Sequence, residues 1–381
     1  MRNTFIVAHR WVALITGALL LATATSGAAL VFEGAIERGL HPSRWRVVPP
    51  DAPTGAATAV PLALDTIVAR VEARMPGATV MAITPSTIPD RAWSMGLGAL
   101  NATVNPYTAE VLSTGTPEEG RRSLARRLHV FHVEFFAGSV GRTIVAGLSI
   151  VALFLVLTGI VLWWPDKLVR ISTSASWKRI TFDLHHALGI GAAIILVVIT
   201  ASGVWIHSDV LARFIKRLDT TVAKPLPAQP PGPANAPRLS FDAVASIGRA
   251  ALPGAEIVFI AMGNPKSPVS VAMRFPEDRT PGGRSRVLVN RFNGELLGTV
   301  STREAALGTR LDNLKRSLHT GDVLGMPTEA LWFAAMLVML SQIVTGALMW
   351  WNARKGRRRV SAGRATEILR AIPRGSRRPS G

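Results

Sequence analysis

Four stretches of the chain carry no charged side chain: Trp11–Phe32, Thr143–Trp164, Ala187–His207 and Ala330–Trp351, each 21 or 22 residues long. A helix of that length crosses the roughly 30 Å of hydrocarbon in a bilayer. The pattern predicts an α-helical membrane protein with four transmembrane helices. Three spans follow the first and no small-residue cleavage site follows it, so the first reads as a retained helix rather than a signal peptide. Between the spans the period shortens. Asp65–Met75 and Phe241–Leu252 read as amphipathic helices. Each precedes Pro-Gly-Ala, at 76–78 and 253–255, and then strand-like alternation that closes on Val104–Leu112 and Val289–Leu297. Asn293-Gly294 is a hairpin signal.

The chain repeats itself. His9 precedes Ser26-Gly27 by the same 17 residues that separate His185 from Ser202-Gly203. His132 precedes Thr158-Gly159 and Trp163-Trp164 by the same offsets that separate His319 from Thr345-Gly346 and Trp350-Trp351. The order is helix, module, helix, helix, module, helix. This predicts two pseudo-symmetric halves related by an axis along the membrane normal, each with a small α+β module of one helix on an antiparallel sheet.

Charge sets the expected orientation. Residues 352–381 hold ten Lys and Arg against the single acid Glu367, and the 166–186 loop holds Lys167, Arg170, Lys178 and Arg179. With Arg2 and Arg10 these basic groups belong on the cytoplasmic side, with both termini. The net charge of +19 is then explained by topology and membrane lipids, not by nucleic acid. The expected segments are a first membrane helix at 1–33, a periplasmic module at 34–126, and an amphipathic lead-in with the second helix at 127–165. A cytoplasmic loop at 166–186 and the third helix at 187–208 follow. A second periplasmic module spans 209–318 with a Pro-rich linker at 225–237; the fourth helix with its lead-in spans 319–352 and a basic tail 353–381.

Absence of cysteine excludes disulfides, thiolate metal sites and covalent C-type haem. No flavin, nicotinamide or Walker A fingerprint is present. The candidate chemistry lies in histidine. His9, His185 and His186 lie at the cytoplasmic ends of spans, and His129, His132, His207 and His319 at the periplasmic ends. Only His41 sits clearly apart, beside Pro42, and reads as a surface residue. Ionisable groups at membrane depth point to function. Two imidazole layers suit two non-covalent haem b groups with axial His, separated by about 30 Å along a span. The repeat pairs His9 with His185 and His132 with His319. His207, about 40° round the helix from His185, is an alternative ligand, as are His186 and His129. Zinc or copper held by the outer His is a further alternative. Arg10 and Arg142 are candidate propionate contacts, with Arg126, Arg127, Arg316 and Lys178 also near the layers. Glu134 and Asp322 are candidate second-layer or substrate-side groups. The paired Trp read as interfacial belts, and the Thr-Gly pairs as sites of close helix packing or haem approach.

The modules closing on VNPYTAEVL and VNRFNGELL, with His9-Arg10-Trp11, Gly138-Ser139-Val140-Gly141-Arg142 and His319-Thr320-Gly321-Asp322, resemble the PepSY-associated transmembrane family over about residues 1–355. That group includes FoxB-type ferric-siderophore reductases of bacterial inner membranes. The resemblance implies a haem-dependent oxidoreductase that passes electrons across the inner membrane to a periplasmic ferric siderophore of hydroxamate type. The electron donor is then external, a quinol or a cytoplasmic reductase. The rival expectations are a haem subunit serving another periplasmic reductase, a haem-free interaction or regulatory protein, and a transporter. Four helices without buried acids along a pathway disfavour the last.

Overall fold

The structure, a computed structural model, describes residues 2–51, 59–116, 118–119, 123–165, 174–219, 226–233 and 237–371, with side chains only as far as 355 in the last helix. Lys167, Arg170, part of the Pro-rich linker and residues 372–381 of the basic tail lie outside the described residues. The helices are α1 (Arg2–Val31), α2 (Glu33–Leu40), α3 (Pro42–Trp45), α4 (Leu64–Arg74), α5 (Leu124–Glu134), α6 (Gly138–Trp163), α7 (Trp177–His207), α8 (Asp209–Lys216), α9 (Phe241–Ala251), α10 (Leu307–Thr320) and α11 (Met326–Ala371). Among the described residues four helices are long and apolar enough to cross a membrane: α1, α6, α7 and the Met326–Lys355 part of α11.

Each of these helices outruns its uncharged window. α7 begins at Trp177, where the sequence placed a loop as far as 186. A charge near a membrane face does not interrupt backbone hydrogen bonding, so the helix continues. Arg179 reaches the buried Asp183 one turn on at 2.9 Å. His9 and His185 therefore stand on continuous helix rather than on flanking loops.

The chain divides into two compact units. One comprises Met1–Thr25, Gly147–Thr200 and Phe333–Gly381; the other comprises Ser26–Ala146 and Ala201–Trp332. We call them unit one and unit two.

Unit two contains an antiparallel eight-stranded sheet in the order β4-β3-β2-β1-β5-β6-β7-β8. The strands are β1 (Ala82–Thr84), β2 (Trp93–Leu97), β3 (Leu100–Val104), β4 (Val111–Gly115), β5 (Glu256–Ala261), β6 (Val269–Arg274), β7 (Ser285–Val289) and β8 (Leu296–Val300). The two expected modules are thus joined edge to edge. β1 pairs with β5 through Ala82 opposite Ala261 and Ile83 opposite Ile260, which covers an edge each module would otherwise expose. α4 and α9 contribute Ile67, Val68, Val71, Phe241 and Val244 to one core with Ile83, Met95, Ile260, Val271 and Val287 from the strands. Burying Phe241 alone contributes roughly 1.5–3 kcal/mol.

The two sheet helices cap each other. Ala63, before α4, offers no side-chain cap. Instead Asp242 accepts from the N–H groups of Leu64 and Asp65, each at 3.0 Å. In return Asp65 accepts from the N–H groups of Phe241 at 2.8 Å and Asp242 at 3.3 Å, and from the Ser240 hydroxyl. Burial alone would raise the Asp65 carboxyl. The Ser240 hydroxyl and those N–H groups outweigh it and hold the carboxyl below the usual carboxylate range.

Both lead-in helices turn sharply into a membrane helix. After α5, Phe135 and Phe136 adopt left-handed backbone, and a Cβ on Gly141 would strike the Glu134 carbonyl. After α10, Gly321 takes φ +82°, and a Cβ there would lie 2.6 Å from the Trp332 ring. Only glycine fits either corner.

Candidate functional site

In unit one, α1 carries His9 and α6 carries Thr158. The His9 Nδ1 lies 2.8 Å from the Thr158 Oγ1. That hydroxyl is also 2.7 Å from the carbonyl oxygen of Phe154. A carbonyl only accepts, so the single Thr158 proton goes to Phe154, and toward His9 the hydroxyl accepts. His9 is thereby fixed as the Nδ1–H tautomer, with the Nε2 lone pair left over. The same construction recurs on α7 and α11. The His185 Nδ1 lies 2.8 Å from the Thr345 Oγ1, which donates to the Ser341 carbonyl at 2.6 Å. An imidazole whose Nδ1–H is held by an acceptor and whose Nε2 is free is the form a metal takes as a ligand.

The glycine after each threonine clears space for the ring. A Cβ on Gly159 would lie 3.8 Å from the His9 Cε1, and one on Gly346 3.5 Å from the His185 Cε1. The Thr-Gly pair therefore works as an orienting hydroxyl followed by a gap. His9 and His185 also lie within electrostatic range of each other.

Unit two holds the other pair. The His132 Nδ1 is 3.1 Å from the Ser26 hydroxyl, and the His319 Nδ1 is 3.4 Å from the Ser202 hydroxyl. The His132 and His319 rings face each other with centroids 6.1 Å apart and planes at 43°. A metal ion bonded to one nitrogen of each ring at about 2.0 Å would place the ring centres about 6 Å apart. The separation thus fits two axial ligands on a single iron.

Of the alternative ligands, His186 has its ring centroid 6.3 Å from that of His185, a separation like that of the unit-two pair. His186 stacks on Phe182 at 4.1 Å. His207 ends α7, within electrostatic range of Arg142, and His129 sits on α5 one turn before His132. Arg142 is ion-paired with Glu134 at 2.8 Å. Among the described residues no cluster of three or more His, Asp or Glu side chains converges as a metal site would.

Several buried polar atoms lack a hydrogen-bond partner among the described residues. In unit one these are the Arg10 Nε, the Trp163 Nε1 and the Gln342 Nε2. All three are nitrogens of donor groups, on the helices that carry His9, Thr158 and Thr345 respectively. A group bearing carboxylates, such as haem with its propionates, matches a donor-rich surround of this kind. In unit two the Asp322 Oδ1, three residues beyond His319, is likewise buried and unpartnered.

The sequence reading located all four paired histidines but not their partners. It linked Thr158 to His132 by spacing, whereas Thr158 holds His9, 149 residues away. It missed Gln342, whose side chain packs on Gly189, one turn beyond His185. The signal for the partners was the recurrence of hydroxyl-plus-glycine four times at matched offsets from histidine.

Residues 7–353 match the PepSY-associated TM region family. The chain therefore belongs to the PepSY-associated transmembrane family. No curated protein matches the chain.

Proposed function

We propose that this member of the PepSY-associated transmembrane family is a dihaem b-type cytochrome of the bacterial inner membrane that reduces a periplasmic ferric siderophore. The reading rests on one observation above all: four repeat-matched histidines each turn Nδ1 to a hydroxyl, and the unit-two pair stands 6.1 Å apart. His9 and His185 would hold one haem, and His132 and His319 the other. A bound b-type haem supplies a reversible one-electron couple. The chain's own part is to orient and to enclose. Thr158 and Thr345 fix the tautomer, Gly159 and Gly346 leave room beside the rings, and Arg10 offers its unpartnered guanidinium nitrogen to a carboxylate. Trp163 and Gln342 offer further donors.

In this proposal the basic loop and tail face the cytoplasm, and the sheet of unit two, built from the two PepSY-like modules of the pseudo-symmetric halves, faces the periplasm. The net reaction takes one electron from a quinol or a cytoplasmic reductase and places it on Fe(III) in the chelate. Hard hydroxamate oxygens hold Fe(III) far better than Fe(II), so the iron is released and the chelator survives. The surface around Glu134 and Asp322 is the proposed acceptor side.

The test is turnover on purified protein. The dithionite-reduced chain, freed of excess reductant, is mixed with a ferric trihydroxamate and an Fe(II)-trapping dye. Reoxidation of the protein matched by an equal yield of trapped Fe(II) supports the proposal. A protein that stays reduced while the chelate remains ferric refutes it.

A further inference from the structure

α2 starts seven residues after Ser26, and α8 seven residues after Ser202. Each packs on the next lead-in helix, α2 on α5 and α8 on α10. The two contacts differ in how they are finished. The α8–α10 contact is closed. Gly308 lies directly against the Ile215 carbonyl, Asp219 accepts from the Thr309 N–H and hydroxyl at 3.0 and 2.7 Å, and Lys216 reaches Asp312 at 3.8 Å. The α2–α5 contact is open. It holds a cavity of about 460 Å³ lined by Glu33, Glu37, Arg44, Trp45, Ser123 and Arg126, with Gly34 and Ala125. The Glu37 Oε2, Arg44 Nε and Trp45 Nε1 are buried there without a hydrogen-bond partner. Among the described residues, none of the four charged groups is in an ion pair.

We propose that this cavity binds the phosphoethanolamine zwitterion. Two carboxylates and two guanidiniums line it, so a simple anion would meet Glu33 and Glu37, and a simple cation would meet Arg44 and Arg126. A ligand carrying both signs satisfies both. Phosphate oxygens suit the guanidinium and indole N–H donors. A primary ammonium donates hydrogen bonds to the carboxylates, which a trimethylammonium cannot do.

The position points to a lipid headgroup as the source. Glu33 lies two residues beyond the end of α1, at the depth where an apolar span gives way to polar chain. Trp45 is the side chain favoured at that depth. Leu40 on α2 and Leu124 on α5 are both more than half exposed, and suit the start of the acyl chains.

Native mass spectrometry of the full-length protein in detergent tests this, with dioleoyl phosphatidylethanolamine, phosphatidylcholine and phosphatidylglycerol titrated separately. Phosphatidylethanolamine is expected to bind at least about tenfold more tightly than the other two. Glu37→Gln should abolish its advantage over phosphatidylglycerol while phosphatidylglycerol binding persists, a change of selectivity that misfolding would not give. Arg44→Gln should weaken all three lipids, and Lys216→Ala in the closed contact should change nothing. If water-soluble O-phosphoethanolamine fails to compete, the lipid is the source; if it displaces the lipid at equal concentration, the site serves a soluble zwitterion. Equal binding of the three lipids, or selectivity that survives Glu37→Gln, would overturn the proposal.

Discussion

Unit one and unit two each set a pair of histidines against hydroxyls, but the hydroxyls differ. In unit one they belong to Thr158 and Thr345, both 2.8 Å from Nδ1 and both donating to their own helix. In unit two they belong to Ser26 and Ser202, at 3.1 and 3.4 Å. Threonine is branched at Cβ and restricted in χ1, so its lone pair points in a fixed direction. Serine turns more freely. His9 and His185 also stand on long membrane helices, whereas His132 and His319 stand on α5 and α10, of 11 and 14 residues. One layer is clamped through branched hydroxyls on long helices, and the other is held through serines on shorter and more adjustable supports. On the proposed function, the clamped layer keeps one fixed geometry, and the adjustable layer is the one that meets the acceptor.

The comparison breaks most visibly at the ligands. On the proposed function, His9→Ala or His185→Ala should remove one of two haems and spare the one assigned to unit two; His132→Ala should do the reverse, read by haem content and by which reduced band survives. The gap beside the ring comes next. Gly346→Leu should displace His185 and cost the same haem, whereas Gly346→Ala, with its Cβ 3.5 Å from the ring, should retain it. The hydroxyls sharpen the contrast. Thr158→Val keeps the shape and loses the acceptor, and should weaken haem retention about 10–100-fold. Ser202→Ala, which removes a 3.4 Å contact, should weaken it only a few-fold, about 2–5-fold, as judged by transfer to apomyoglobin.

The smallest effect lies in the sheet. Asp65→Ala should cost unit two about 1–2 kcal/mol in thermal unfolding, because the Phe241 and Asp242 N–H groups at the start of α9 lose their acceptor while Ser240 still caps Ala243. The Asp65 carboxyl is held low in the folded protein, so its contribution is complete above the ordinary aspartate range. It disappears as the pH falls below about 4 toward the lowered folded value. The pH dependence of the variant should be flatter there than that of the unaltered protein.

Much of this was legible from residue pattern. The spans emerged because a bilayer demands about twenty apolar residues in a row. α4 and α9 emerged because amphipathic period survives in a short helix; the expected Asp65–Met75 and Phe241–Leu252 differ from Leu64–Arg74 and Phe241–Ala251 by a residue at most. The joining of the two modules was hidden, because an edge strand carries no mark of its partner. Ile83 and Ile260 read as ordinary core residues until they are paired. The reciprocal capping was hidden for the same reason, since Asp65 and Asp242 each look like first-turn acids of their own helix. In the candidate site the histidines stood out by type and depth. Thr158 and Ser26 did not, because a hydroxyl near a glycine in a membrane helix has an ordinary role in helix packing.

The most direct test of the central claim is pyridine haemochrome quantification on the detergent-purified chain, expressed with adequate haem supply, together with oxidised and dithionite-reduced visible spectra. Two non-covalent b-type haems per chain are expected, with sharp reduced alpha and beta bands. A colourless, folded protein would contradict the account and favour a haem-free interaction or regulatory role for the PepSY modules.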